Sequence, residues 1–235
     1  MISIVIPTLN EEKFLPSLLE SIKKQTFSDY EIIVADAGSQ DKTIEIASQY
    51  GCKITKGGLP AKGRNSGAKI SKNELILFLD ADTIIPEDFL YNALKEFKER
   101  KLKIASFCLK PYVDSKLLSL LYNIFYNFPI VFMEKFLPHA AVGIMIEKNL
   151  FNQLNGFDET IIIAEDHDLA IRAKKIDKKS YGILKSTKIR VSDRRFRKDG
   201  WIKTFLKYLF CELHLVFKGP IRGNFIKYKF NHYNY

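Results

Sequence analysis

Two periods of apolar residues run through the chain. Short, nearly unbroken apolar stretches at residues 3–8 (SIVIPT), 30–37 (YEIIVADA), 75–79 (LILFL) and 103–113 (KIASFCLKPYV) are bounded by turn residues. They read as strands buried on both faces. Between them, apolar positions recur every three or four residues. Phe14, Leu15, Leu18, Leu19 and Ile22 share one face of a helix over 11–25, with Asn10 placed as its N-cap. The same period predicts helices near 41–50, 61–71, 87–100 and 165–175, the third with Pro86 at its opening. A short strand near 52–55, strands at 139–148 and 181–191, and a short helix at 149–157 complete the series. Strands alternating with helices predict an α/β fold, Rossmann-like, with a mostly parallel sheet flanked by helices.

Two segments depart from that rhythm. Residues 115–128 are helical by period until Pro129 interrupts them, and Ser119, Asn123 and Asn127 draw a polar strip along an otherwise apolar stretch, 117–136. Packing inside the protein is the expectation for this stretch; an acceptor groove and shallow contact with lipid are the alternatives. Residues 200–218 are helical, with Trp201, Phe205, Leu209 and Leu213 on one half and Lys203, Lys207, His214 and Lys218 opposite, the pattern of an interfacial helix. An amphipathic helix packed on its own domain gives the same pattern.

Length and charge refine this picture. A chain of 235 residues suits one domain, here 1–198, with a basic helical tail over 199–235. Cys52, Cys108 and Cys211 are odd in number and lack metal-binding spacing, so neither a disulfide framework nor a zinc site is expected and a reducing cytoplasm fits. The first residues lack the pattern of a secretory signal, and no uninterrupted apolar run of about 18 residues offers a bilayer span. The net charge of +10 is uneven: residues 1–170 hold 19 Lys/Arg against 23 Asp/Glu, and residues 171–235 hold 18 against 4. That end of the chain suits an anionic lipid surface, a nucleic acid or a phosphorylated substrate.

Chemistry gathers where strands end. Asp36 follows one strand, Asp80 and Asp82 follow another, and Glu165 with Asp166 opens a helix. In an open parallel sheet such ends share one edge, where ligands bind. Taken alone, Asp36 reads equally well as a turn former. The Asp80–Ala81–Asp82 pair is more specific, because adjacent carboxylates beside a buried strand repel unless a cation or donors stand between them. Mg2+ or Mn2+ fits, since such ions are held by one or two carboxylates plus substrate phosphates. Within GLPAKGRNSGA (58–68), Lys62 and Arg64 offer positive charge, and Gly63 and Gly67 permit close backbone approach.

The ordered motifs VIPTLNEE, VADAGSQDKT, GRNSGA, LFLDADT, GFDE and EDHDLAIRA, over about 1–195, resemble the inverting family 2 glycosyltransferases of the GT-A fold. The resemblance implies a nucleotide-sugar donor whose base and ribose lie against Pro7, Thr8, Asn10, Glu11 and Asp36, with Arg64 approaching the nucleotide; Lys62 is a further donor-binding candidate by its charge alone. It further implies that Asp80 lies near the ribose in the Asp80–Ala81–Asp82 motif, that Asp82 holds the metal, and that Asp166 is the general base with Glu165 beside it. Gln40 and Lys42 depart from the usual GSTDGT. The QxxRW of polymer-forming relatives is absent; VSDRRFRKDGW instead supplies Arg194 and Arg195 for a diphosphate or an anionic acceptor. No histidine is assigned. A lipid-linked or glycan acceptor, an anionic membrane surface, no nucleic acid, and a cytoplasmic, membrane-peripheral location complete the expectation. Two rivals remain at this point: a haloacid-dehalogenase-type phosphatase using Asp80, Asp82 and Thr83, and a non-enzymatic lipid- or nucleic-acid-binding module.

Overall fold

The computed structural model describes residues 1–192 together with His214, Gly219, Ile221 and Arg222. Most of the tail helix expected over 200–218, and Arg194 and Arg195, lie outside the described residues.

Among the described residues, strands and helices alternate as the two periods predict. In chain order they are β1 (Ile2–Thr8), α1 (Leu15–Lys23), β2 (Tyr30–Asp36), α2 (Thr43–Gln49), β3 (Lys53–Lys56), α3 (Pro60–Ile70), β4 (Leu75–Leu79), β5 (Thr83–Ile84) and α4 (Phe89–Glu99). There follow β6 (Ile104–Pro111), α5 (Lys116–Tyr122), α6 (Phe128–Met133), β7 (Gly143–Glu147), α7 (Lys148–Gln153), β8 (Ile161–Ile163), α8 (Glu165–Ile176), β9 (Tyr181–Val191) and β10 (Ile221–Arg222). An eight-stranded sheet runs β3-β2-β1-β4-β7-β6-β9-β5, with β7 and β5 antiparallel to their neighbours.

Helices cover both faces, which is why the strands are apolar on both sides. Ile2, Ile4 and Ile6 point into one core with Leu15, Leu18 and Ile22 of α1 and Phe89 and Phe97 of α4. Val5, Ile33, Ile76 and Phe78 point into the other, against α3, α7 and Leu169, Ala170 and Ala173 of α8. α3 lies especially close to the sheet. A Cβ on Gly67 would collide with Val5 Cγ1, and one on Gly63 would meet Pro7 Cβ at 3.1 Å. These two glycines, one turn apart, let α3 sit against β1 and aim the intervening Arg64 along the sheet edge.

The parallel pairing puts Thr8 opposite Asp36 and runs β4 alongside β1, so the ends of β1, β2 and β4 share an edge. β5 pairs with the end of β9, Thr83 opposite Val191, on the far flank of the Asp80–Asp82 turn.

Several boundaries differ from expectation. α1 begins at Leu15 and Asn10 does not cap it. Asn10 instead takes a left-handed conformation, φ 54°, which asparagine tolerates, and its Oδ1 accepts the Gln40 N–H at 2.8 Å. Glu11 N–H donates to Thr43 Oγ1 at 2.8 Å, so the turn after β1 is stitched to the GSQDKT loop rather than folded into the helix. Pro129 does not end its helix: the helical backbone runs through it, directly after a π-helical turn over Asn123–Asn127. The strand expected at 139–148 is only β7, because Val142 is left-handed, φ 67°.

Burial of 117–136 is also overturned. Of the polar strip only Asn127 is buried, bonded to both main-chain groups of Leu109 at 2.8 Å, while Asn123 is exposed and much of the apolar side faces out. Lys116–Met133 is, by length and composition, apolar enough to cross a membrane despite its polar interruptions. Near the other end of the chain, β10 pairs antiparallel with β8, so Ile221 and Arg222 are tied to the segment leading into α8.

Candidate active site

Arg64 is the centre of the sheet-edge site. It is 4% exposed, and its guanidinium fork spans acids far apart in sequence: Nη2 donates to Asp80 Oδ1 at 2.8 Å and Nη1 to Glu165 Oε1 at 2.6 Å. Asp166 Oδ1 lies 3.4 Å from the same Nη1, an ion pair without a hydrogen bond. Phe157 covers the cation from one side, its ring centre 5.5 Å away.

One buried guanidinium against three carboxylates leaves excess negative charge. Although its surroundings desolvate it, the acids of Asp166, Asp80 and Glu165 hold Arg64 firmly protonated. Asp166 is pushed up to about 8, first by desolvation, then by the neighbouring charges of Glu165 and Asp80, with Arg64 opposing. Asp166 Oδ1 is buried and accepts no hydrogen bond among the described residues. It is an unpartnered acceptor, and its raised proton affinity lies close to the neutral range where a general base works best.

Local structure aims these acids. Ala164, immediately before α8, is left-handed at φ 69°, a conformation that costs a non-glycine residue about 1 kcal/mol or more. The turn it makes sends Glu165, Asp166 and His167 inward, and all three are buried. Their negative charge also suits the first turn of a helix. Asn65, next to Arg64, clamps the GFDE turn: its Nδ2 donates to Phe157 O at 3.0 Å and Glu159 Oε1 at 2.9 Å, and its Oδ1 accepts Phe157 N–H at 2.9 Å. Arg172 of α8 holds the same turn through Leu154 O at 2.7 Å and Gly156 O at 2.8 Å. The GRN, GFDE and ED motifs are thus one assembly.

On the β1–β2 side, Asp36 organises a loop. Its Oδ1 accepts the N–H groups of Gly38 and Ser39, each at 2.8 Å, and its Oδ2 accepts Thr8 Oγ1 at 3.0 Å and Ser39 Oγ at 2.5 Å. A cleft of about 340 Å³ opens beside it, lined by Ala37, Gly38, Ile44, Ile54 and Gly57 among others. Gly57 N–H bonds Asp36 O at 2.6 Å, and a Cβ there would strike Ala35 O at 2.5 Å. Pro7 and Glu11 flank this edge, and Lys62 is exposed on α3 between buried Ala61 and Gly63.

Arg64 is buried and committed to Asp80, Glu165 and Asp166 rather than exposed to solvent. The sequence signal for that was its position between two glycines on one helix face, which implies burial rather than solvent.

Asp82 is half-buried on the turn between β4 and β5, and Ala81 is buried beside it. Among the described residues no cluster of three or more His, Cys, Asp or Glu side chains is arranged to hold an ion. Asp82, a hard oxygen ligand beside Asp80 on one turn, is nonetheless the kind of carboxylate that would hold a divalent cation shared with a phosphate ligand.

Comparison with known proteins decides the family. Residues 3–146 match the family described as Glycosyl transferase family 2. The chain belongs to that family. As a family 2 glycosyltransferase it is an enzyme, and the phosphatase and non-enzymatic readings fall away. It is 36% identical over 101 residues to the poly(ribitol-phosphate) beta-N-acetylglucosaminyltransferase TarS of Staphylococcus aureus, a match covering 39% of this chain and 18% of that one. The chain therefore spans well under two thirds of the length of that relative. The fold is that of S. aureus TarS 1–349 in complex with UDP-GlcNAc, with a TM-score of 0.64 at 24% identity over 81% of this chain and 58% of that one. It is equally that of the mannosyltransferase PcManGT from Pyrobaculum calidifontis in complex with GDP-Man and Mn2+, with a TM-score of 0.65 at 19% identity over 89% and 64%. The expected GT-A fold is thereby established.

Proposed function

We propose that this glycosyltransferase is inverting and metal-assisted, moving a sugar from a nucleoside-diphosphate donor to a hydroxyl of a glycan or lipid-linked acceptor. The observation that carries the reading is the unpartnered Oδ1 of Asp166, 3.4 Å from Arg64 Nη1, at the edge where the Asp80–Asp82 turn also ends. In the reaction, Asp166 takes the proton of the acceptor hydroxyl as that oxygen bonds to the sugar's anomeric carbon. The bond from that carbon to the diphosphate breaks on the opposite face, which inverts the configuration and puts negative charge on the leaving group. Asp82 would hold a divalent cation, which when bound would neutralise charge on that diphosphate. Arg64 keeps Asp80 on the donor side and Glu165 and Asp166 on the acceptor side in one register. The loop tied by Asp36, Asn10 and Thr43, with the adjoining cleft, receives the nucleoside.

The relatives named as poly(ribitol-phosphate) glycosyltransferases support a cell-envelope glycan as acceptor. Thermal-shift titration against a panel of nucleotide sugars tests the reading. One donor with Mn2+ or Mg2+ should raise the melting temperature, a stabilisation of about 2.7 kcal/mol at a hundredfold excess over Kd. EDTA should remove most of that gain; no shift with any donor would contradict the proposal.

A further inference from the structure

The segment with the polar strip carries its apolar residues on the wrong side for a soluble helix. Leu117, Leu120, Ile124, Phe125, Phe128, Phe132 and Phe136 form one stripe and are between 49% and 75% exposed. The spacing is three or four residues except at the π-helical turn, where the extra residue steps the stripe from Ile124 to Phe125. Only 11% of Lys116–Met133 is buried. We propose that this stripe is a membrane-docking face, lying in the interface of a bilayer that contains anionic lipid.

The helix cannot turn the stripe inward. Asn127 holds both main-chain groups of Leu109, and Asn123 Oδ1 accepts Asn127 Nδ2 at 2.9 Å and Lys188 Nζ at 3.0 Å. The far end is fixed by Glu134, whose carboxylate pairs with Arg100 and whose carbonyl accepts Lys174 Nζ at 3.0 Å. These bonds bind one side of the segment along the sheet, so it lies along a bilayer rather than through it. Its length of about 27 Å at 1.5 Å per residue is then a footprint, not a span.

Charge selects the occupant. Lys116–Met133 contains no acid, and exposed Lys116 and Lys135 stand at the two ends of the stripe. Pairing with a second copy across a two-fold axis would set lysine against lysine in either direction. Residues 193–235, with 10 Lys/Arg against 3 Asp/Glu, are cationic too. Anionic headgroups complement the flanking lysines, and acyl chains complement the phenylalanines, the division of labour of an interfacial helix.

The face is also joined to the catalytic centre. His139 lies three residues beyond Phe136, and its ring meets that of His167 edge-on, with centroids 4.2 Å apart. Tyr181 Oη accepts the His139 N–H at 3.0 Å and donates to its carbonyl at 2.5 Å, fixing that loop. His167 follows Asp166, so docking would hold the base beside the bilayer surface.

The test needs neither donor nor acceptor, so its outcome is independent of the transfer reaction. The full chain is floated with phosphatidylglycerol/phosphatidylcholine vesicles beside the variant Phe125→Ser/Phe128→Ser/Phe132→Ser, whose changes are all on exposed side chains. A second variant, Trp201→Phe/Phe128→Trp, moves the single tryptophan onto the stripe. The proposal expects at least a tenfold loss of vesicle partition for the triple variant with an unchanged melting temperature. It also expects the emission of the relocated tryptophan to shift to the blue on adding vesicles and to be quenched by brominated acyl chains. Equal flotation of the triple variant would overturn it. So would emission from the relocated tryptophan that is already blue-shifted in buffer and unquenched by brominated lipid, which would mean that the chain's own tail covers the stripe. A native dimer that the triple variant converts to monomer, with no flotation of either, would overturn it in favour of a second copy.

Discussion

Asp166→Asn abolishes sugar transfer while leaving donor binding intact. General-base catalysis is worth roughly 10²–10⁴-fold, so single-turnover transfer should fall by that factor while the donor-induced thermal shift is retained. The variant should also not be less stable. The folded protein holds a proton on Asp166 up to about pH 8, whereas the unfolded chain releases it near the ordinary value of 3.8. Between those values the folded state binds more protons, so this group lowers stability as pH rises, and the loss is complete above about 8. Asparagine removes that slope. The melting temperature of Asp166→Asn should match that of the native protein near pH 4 and exceed it increasingly toward pH 8. Impaired donor binding with intact transfer would contradict the assignment, and a general loss of fold would contradict the electrostatics.

Arg64→Met produces the opposite signature. Three carboxylates, two of them buried, lose their common cation, and breaking a buried pair from one side typically costs about 3–5 kcal/mol. The denaturation midpoint should fall accordingly, and transfer should fall with it because Asp80, Glu165 and Asp166 no longer share a frame. Since Arg64 lowers the proton affinity of Asp166, what activity survives should require more alkaline solution. Arg64→Lys retains charge but not the fork that serves Glu165 from one nitrogen and Asp80 from the other, so it should restore stability more than rate. A methionine variant as stable as the native protein would show that the acids do not depend on Arg64.

Much of this was legible in the chain itself, for physical reasons. Strands buried on both faces write themselves as apolar runs, so β1, β2, β4, β6 and β9 were readable, and the 3.6-residue period exposed α1, α3, α4 and α8. β5 and β8, of two and three residues, are too short to carry a period and exist only because β9 and β10 lie beside them. Asn10 was misread because its side chain finds a partner thirty residues away instead of capping the helix that follows.

The acids of the site were found as separate strand-end and helix-start carboxylates; their meeting was not. Arg64 and Glu165 are 101 residues apart, and no local pattern encodes that contact. The α5–α6 segment failed for another reason. Periodicity shows that a helix has an apolar and a polar side, but not which side the sheet receives. The customary answer was wrong because Asn127 turns inward to bond both main-chain groups of Leu109.

The pH dependence of kcat/KM, measured for the native enzyme and for Asp166→Asn with one identified donor and acceptor, tests the central claim most directly. The native profile should rise with pH through a limb near 8, set by the buried carboxyl, and the residual rate of the variant should lack that limb. The same limb in Asp166→Asn, or a native rate already maximal below about pH 6, would show that another group takes the proton.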